Sequence, residues 1–193
     1  MQKINKFYPG RASGAPITDL FITYLEMGEP TLRELLKQRK ANYTYLHEKL
    51  TDLLAKHGER ILVTKNNKIS IAATLTNLNE KVFLPNNINA TFFGSYLFHR
   101  RVSGVRVCAS SDGKKSTFGN GDHNKTSFAN YGTHCDVYPC LPYFTSASAI
   151  GQKQTEIDTY IIRLDEAFKH FYSADPFGIF KKNAQLNALV EEE

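Results

Sequence analysis

Apolar positions in the first third of the chain recur with helical spacing. Ile17, Leu20, Phe21, Tyr24 and Leu25 fall at i, i+3, i+4, i+7 and i+8, which is one face of a helix. Pro16 suits its first turn and Gly28 its stop. A longer helix is predicted next, with Thr31 and Glu34 as a capping box and Gly58 as its close. Leu32, Leu35, Leu36, Tyr43, Leu46, Leu50, Leu53 and Leu54 form its stripe. The opposite face (Arg33, Lys37, Arg39, Lys40, Glu48, Lys49) reads as a solvated surface.

The pattern then turns to short β-like runs. Ile61-Leu62-Val63 and the run Ile69 to Leu75 predict two strands around Asn66-Asn67, a hairpin. Asn77 to Asn89 reads as a polar connection containing Pro85. Phe92, Phe93, Tyr96 and Leu97 mark a third helix ending near Arg100 and Arg101, and Val105 to Cys108 a strand. Residues 109–127 are rich in Ser, Gly, Asn, Lys and Asp and carry no apolar period, which predicts a long surface loop. Beyond Pro139 and Pro142, Ala147 to Gly151 reads as a short helix or buried turn. The last helix opens at Thr155, with Asp158 three residues on, and stripes Ile157, Tyr160, Ile161, Leu164, Phe168, Phe171 and Tyr172. After Pro176 the pattern fades, with Phe177, Ile179 and Phe180 placed to tuck against the body and a frayed Glu191-Glu192-Glu193 end.

Composition sets the bounds. A chain of 193 residues, 41% apolar and 22% charged, is an ordinary globular protein of one large domain or a domain and a half. A net charge of +5 and a pI near 9.0 permit an anionic partner without demanding one. The N-terminal residues hold no signal-peptide core, and no run reaches the ~20 apolar residues of a membrane span. Cys108, Cys135 and Cys140 make an odd count, so the expectation is reduced thiols in a soluble, cytoplasmic protein.

Candidate chemistry centres on arginine. In Tyr8-Pro9-Gly10-Arg11-Ala12-Ser13, a Pro-Gly turn would hold the planar guanidinium of Arg11 at a turn-to-helix junction, suited to a phosphate or carboxylate. A plain surface arginine at a helix start is the competing reading. Only seven residues precede the block, so the chain reads as if it starts inside a larger protein. His99, Arg100, Arg101 and Arg106 are the densest basic cluster. Cations at a helix C-terminus are stabilised by its dipole, yet with Lys114, Lys115 and Lys125 they could also line a phosphate track. Phe118, Phe128 and Tyr131 lie near for stacking, although such residues commonly serve a core. Gly113-Lys114-Lys115-Ser116-Thr117 fails as a nucleotide loop, because Cys108 stands at the first glycine and Lys115 where Ser or Thr must ligate Mg²⁺. His123, His134, Cys135 and Cys140 match no zinc spacing, and no orienting acid supports a Cys-His nucleophile, so no metal is expected.

Several blocks together resemble the O-phosphoseryl-tRNA(Sec) selenium transferase (selenocysteine synthase) family. Tyr8 to Ser13 carries the resemblance first, followed by Leu35-Leu36-Lys37-Gln38-Arg39-Lys40 and Lys68-Ile69-Ser70-Ile71-Ala72. It is clearest at Gly94 to Gly104, GSYLFHRRVSG. It returns at His134, Tyr138-Pro139-Cys140, Ala149-Ile150-Gly151, Ile157-Asp158 and Arg163-Leu164-Asp165. In all it spans about residues 4–172.

The resemblance implies an α/β fold: the C-terminal portion of a pyridoxal-phosphate-dependent transferase of fold type I, with helices on a small, mostly antiparallel sheet. It implies residues 1–28 at the end of the large cofactor domain, 29–173 as the small C-terminal domain and 174–193 as a tail. The family converts O-phosphoseryl-tRNA(Sec) to selenocysteinyl-tRNA(Sec) with selenophosphate, as a homotetramer. Arg11 matches the arginine that binds the substrate phosphate, and Arg100 one that contacts tRNA, with Arg101 a further candidate. The position of a second, lysine tRNA contact falls on Ser173, and Lys169, one turn earlier, is the candidate substitute. The cofactor lysine and most cofactor contacts precede the Arg11 block in the family, so no residue of this chain is assigned catalysis or pyridoxal phosphate. Alone, the chain is expected to be inactive, with apolar helix faces left exposed. A non-catalytic tRNA-binding or oligomerisation module, and a fold-type I enzyme with a non-tRNA substrate, are the alternatives.

Overall fold

The computed structural model describes residues 13–109, 116–118, 126–128 and 141–178. The Arg11 turn, His123, His134, Cys135, Cys140, Ile179 and Phe180 lie outside them, as do the three lysines of the polar segment. Helix α1 (Ala15–Lys56) begins with Pro16 in its first turn, where a missing N–H costs nothing. It is broken at Gly28, whose φ of 69° and ψ of 160° no helical residue adopts, so the two helices expected from the sequence meet there. Glu34 accepts a bond from Gln38 at 3.3 Å in place of the expected cap on Thr31.

At its far end α1 closes in a Schellman motif. The N–H of Glu59 returns to the Leu54 carbonyl (2.9 Å) and that of Gly58 to Ala55 (3.3 Å), with Gly58 at φ 74°. Glu59 is buried, and its carboxylate accepts from Thr74 Oγ1 (2.5 Å) and the Leu78 N–H (2.9 Å). That satisfies one of the free amides that start the next helical segment.

Strands β1 (Ile61–Leu62) and β2 (Ser70–Thr74) form the expected hairpin, in register Ile61 to Ala73 and Leu62 to Ala72. Asn67 shapes the turn by accepting bonds from the amides of Ile69 and Ser70 at 2.9 and 3.0 Å. The stretch from Asn77 to Asn89 is not a plain polar connection. Thr76–Leu78, Asn79–Phe83 and Leu84–Asn86 form successive short helical segments, because Leu78, Val82 and Phe83 are buried and pull the backbone inward. Helix α2 (Thr91–His99) and strand β3 (Arg106–Cys108) follow as expected.

Residues 109–127 depart from a structureless loop, since β4 (Ser116–Phe118) pairs antiparallel with β5 (Thr126–Phe128). Strand β6 (Tyr143–Ala147) lies at the middle of a four-stranded sheet ordered β1-β2-β6-β3, antiparallel throughout. Ala147 ends that strand, and a turn carries the chain to helix α3 (Gln154–Phe171), whose start is capped by the Glu156 carboxylate on the Lys153 N–H (2.8 Å), two residues earlier than the Thr155–Asp158 pair.

The second half of α1, α2 and α3 cover one face of the sheet. Leu46, Leu50, Leu54, Phe93, Leu97, Leu164 and Phe168 join Ile71, Ala73 and Phe144 in one core. The alternation of β2 puts Ala72 on the other face, in a small cluster with Leu62, Cys108 and Tyr143. Phe177 returns onto the helices and packs on Phe83, Phe92 and Phe171 at 5.8–6.1 Å between ring centroids. Among the described residues the stripe of the first helical segment has no such partner. Ile17, Phe21 and Leu25 are 73%, 62% and 66% exposed, with Leu20 and Tyr24 beside them.

Candidate nucleic-acid interface

The end of α2 fixes the basic cluster. Phe93 and Leu97 are buried and orient the helix, which leaves Phe98, His99 and Arg100 outside. Arg100 sits four residues after Tyr96, on the same face. Its Nε and Nη2 donate to the Tyr96 hydroxyl at 3.2 and 2.6 Å, and the guanidinium carbon lies 5.1 Å from the Tyr96 ring centre. Nη1 stands 3.8 Å from Glu166 Oε2 on α3, a long and exposed ion pair. The Tyr96 ring in turn stacks on His170 of α3, 4.6 Å away and tilted by only 9°. The arginine is therefore mounted on a platform built from two helices.

Lys169 precedes His170 on α3 and is held from the side of α1. Its ammonium bonds Asp165 Oδ2 at 2.6 Å, and Asp165 Oδ1 meets His57 Nε2 at 2.8 Å. Burial pushes the Asp165 carboxyl up, but the bonds from Lys169 and His57 outweigh it and hold the group below its ordinary value. His57 is sandwiched against Phe168 (4.6 Å) and Tyr172 (6.1 Å). The Lys169 side chain remains 69% exposed, so the ion pair leaves it reachable from solvent. Ser173 follows the helix end, its N–H on the His170 carbonyl at 3.1 Å. Arg100 is thus mounted where α3 meets α2, through Glu166 and His170, whereas Lys169 is held through Asp165 on the side of α3 that meets the end of α1.

Arg101 takes a different direction. α2 ends in the same Schellman motif as α1, with Val102 N–H on Leu97 O and Arg101 N–H on Phe98 O, both 2.9 Å. Arg101 occupies the place that Gly58 holds in α1, and its φ is 60°. Its carbonyl accepts a bond from Arg163 Nη1 of α3 at 3.1 Å. Both arginines line an open cleft of about 680 Å³ between the α2–β3 turn, the turn after β6 and α3, together with Ser103, Gly104, Gln152 and Tyr160. Asn42 of α1 fixes one wall by donating to the Gln152 carbonyl at 2.6 Å, and Ser148 Oγ donates to the Arg39 carbonyl at 3.1 Å. Tyr160 bonds Ser146, and burial raises its hydroxyl pKa, so it stays neutral.

Sequence reasoning singled out Arg100, Arg101 and Lys169 but read Tyr96 only as a marker of the third helix and gave Arg163 no role. The four-residue spacing of Tyr96 and Arg100 was the available signal for the first. Nothing local pointed to the second, whose partner lies 62 residues away.

The described residues do not fit pyridoxal phosphate. The 680 Å³ cleft is lined by no lysine. The smaller hollow of about 310 Å³ beside β1 has Lys65 and Lys68 but no carboxylate to partner a pyridinium nitrogen. Among the described residues no group of three His, Cys, Asp or Glu side chains is placed to hold a metal, and no helix is long and apolar enough to cross a membrane.

Comparison with known proteins supplies the family. The chain is 41% identical over 177 residues to an O-phosphoseryl-tRNA(Sec) selenium transferase of Dictyostelium discoideum, covering 87% of this chain and 36% of that protein. It is 31% identical over 171 residues to the Caenorhabditis briggsae protein of the same name, covering 89% of this chain and 33% of the relative. The fold is similar to the crystal structure of an archaeal O-phosphoseryl-tRNA(Sec) selenium transferase, with a TM-score of 0.59 at 23% identity over 82% of this chain and 30% of that one. The chain spans about a third of the length of these relatives. A model of that family matches residues 1–169. The chain belongs to the O-phosphoseryl-tRNA(Sec) selenium transferase (SepSecS) family.

Proposed function

We propose that this chain supplies the tRNA-contacting C-terminal part of an enzyme that converts O-phosphoseryl-tRNA(Sec) to selenocysteinyl-tRNA(Sec) with selenophosphate, in the cytoplasm. The observation that carries the reading is Arg100, presented to solvent on the Tyr96–His170 platform at the position where the family resemblance expects a tRNA contact. A guanidinium braced in this way presents its remaining donors in a fixed fork, suited to phosphate or a base edge. Lys169 adds a second exposed cation on α3, the helix that braces Arg100. Ser173 cannot supply the charge of the family lysine, which leaves Lys169 as its substitute.

Arg11 binds the substrate phosphate in this reading, on the strength of the sequence block alone. The family uses pyridoxal phosphate, which supplies an electron sink for the phosphoseryl Cα as it gives up its proton, so that phosphate can leave Cβ. This chain holds none of that chemistry, and its contribution is to bind and orient the tRNA. In this reading residues 1–28 are the end of the large cofactor-domain region, 29–173 the small domain and 174–193 a tail, and the assembly is a homo-oligomer. The exposed stripe of Ile17, Phe21 and Leu25 supports the view that the first helical segment packs on another body.

Gel-shift titration with tRNA(Sec) tests the reading. The chain is expected to bind with strong salt dependence, and Arg100→Ala to lose most of the affinity. Equal binding by wild type and Arg100→Ala refutes the assignment. Mixing with pyridoxal phosphate is expected to give no borohydride-reducible lysine adduct. A stable adduct would return catalysis to this chain.

A further inference from the structure

We propose that the cleft beside Arg101 and Arg163 is an RNA-backbone clamp, continuing the track that begins at Arg100. The inference rests on the tRNA-contact reading above and adds a site and a residue, Arg163, to it. Arg101 and Arg163 line the same cleft, and among the described residues neither has a carboxylate within ion-pair distance. Exposed arginines beside an accessible groove commonly find such partners; two left without one on the same wall make a local excess of positive charge. Glu156 also lines the cleft, but its carboxylate is engaged on the Lys153 amide at the start of α3. Two cations against one committed anion leave the cleft attractive to phosphate.

Backbone geometry points the same way. Arg101 stands at a left-handed position where α1, in the same motif, has glycine. A side chain there strains the backbone, and strain of this kind is retained where the residue serves a purpose other than stability. The Arg163 bond to the Arg101 carbonyl ties the two together while using one donor of five. The remaining donors of two linked guanidiniums can engage adjacent phosphates. Arg100 leaves the same turn one residue earlier, so a strand crossing the α2 end meets all three in succession.

The test is tRNA(Sec) binding by the full chain between 50 and 200 mM salt, the range over which phosphate contacts separate most clearly. Arg101→Gln and Arg163→Gln are each expected to flatten the dependence of log K on log salt by about one unit, and the double variant by about two. In affinity, the gap between wild type and each single variant should narrow about fourfold across that range. Arg163→Lys, which keeps the charge, should keep the slope. Arg101→Gly should raise the melting temperature, by relieving the left-handed strain, while still losing one unit of slope.

If Arg163→Gln keeps the wild-type slope, or the double variant falls no further than Arg101→Gln, Arg163 only props its neighbour and the clamp is overturned. If Arg100→Ala weakens binding while Arg101→Gln and Arg163→Gln both bind as wild type does, the clamp falls and the tRNA-contact reading stands. Wild-type chain without salt-dependent binding would remove both.

Discussion

Replacing Tyr96 by phenylalanine removes a single oxygen and isolates what the platform does for Arg100. The ring is retained, so the stack on His170 and the edge contact with Phe171 survive. What disappears is the acceptor of two bonds from Arg100, at 2.6 and 3.2 Å. A hydrogen bond to a charged group contributes about 1.5–3 kcal/mol when shielded from water. Arg100 is 47% exposed, so water competes for its donors and the contribution falls towards ~1 kcal/mol. Glu166 at 3.8 Å is too distant to restore the placement. A loss of ~1 kcal/mol corresponds to about fivefold weaker tRNA(Sec) binding. Fluorescence anisotropy with labelled tRNA(Sec) measures it. The melting temperature should stay within about 2 °C of wild type, because no core contact is lost. Unchanged affinity in Tyr96→Phe, with Arg100→Ala strongly impaired, would show that Arg100 needs no platform and refute the reasoning.

Other expectations concern the body that carries this surface. Phe168→Ala empties the centre of the core, where Phe168 is fully buried against Phe93 at 5.1 Å and His57 at 4.6 Å, and should cost about 3–5 kcal/mol in urea unfolding. Glu59→Ala strands the Leu78 amide and the Thr74 hydroxyl in the interior and should cost about 1–3 kcal/mol by the same measurement, with Glu59→Gln milder. The Asp165 carboxyl is held below its ordinary value, so its stabilising effect is complete above the unfolded value near ~4 and drains away as pH falls through the folded one. Asp165→Asn should therefore flatten the acid limb of the stability curve, read as melting temperature from pH 6 downward. Paired Leu20→Glu and Phe21→Glu changes should reduce hydrophobic-dye binding and self-association without lowering the melting temperature, since both side chains are more than half exposed.

Legibility in the sequence followed the range of the forces involved. The helices were visible because their stripes and stops are local: Gly28 and Gly58 end helical runs by their own backbone freedom. The β1–β2 hairpin was visible for the same reason, through Asn67. Strand β6 was not, although it is central, because two prolines precede it and its partners lie about 40 and 70 residues upstream. The helical segments between Thr76 and Asn86 hid behind polar composition, and only the buried Leu78, Val82 and Phe83 explain them. At the site, the charged residues were evident, whereas their supports were not. His170 reaches Tyr96, and Arg163 the Arg101 carbonyl, only once α3 docks against α2. The resemblance supplied the role of Arg100; tertiary packing supplied its mounting.

Where RNA lies on the folded chain is the measurement that bears most directly on this account. Ultraviolet cross-linking of tRNA(Sec) to the chain, mapped by mass spectrometry, is expected to place adducts in the α2 end around Tyr96 to Arg101 and on α3 from Arg163 to His170. Adducts confined to the β1–β2 hairpin or to the first helical segment, with α2 and α3 unmarked, would contradict it.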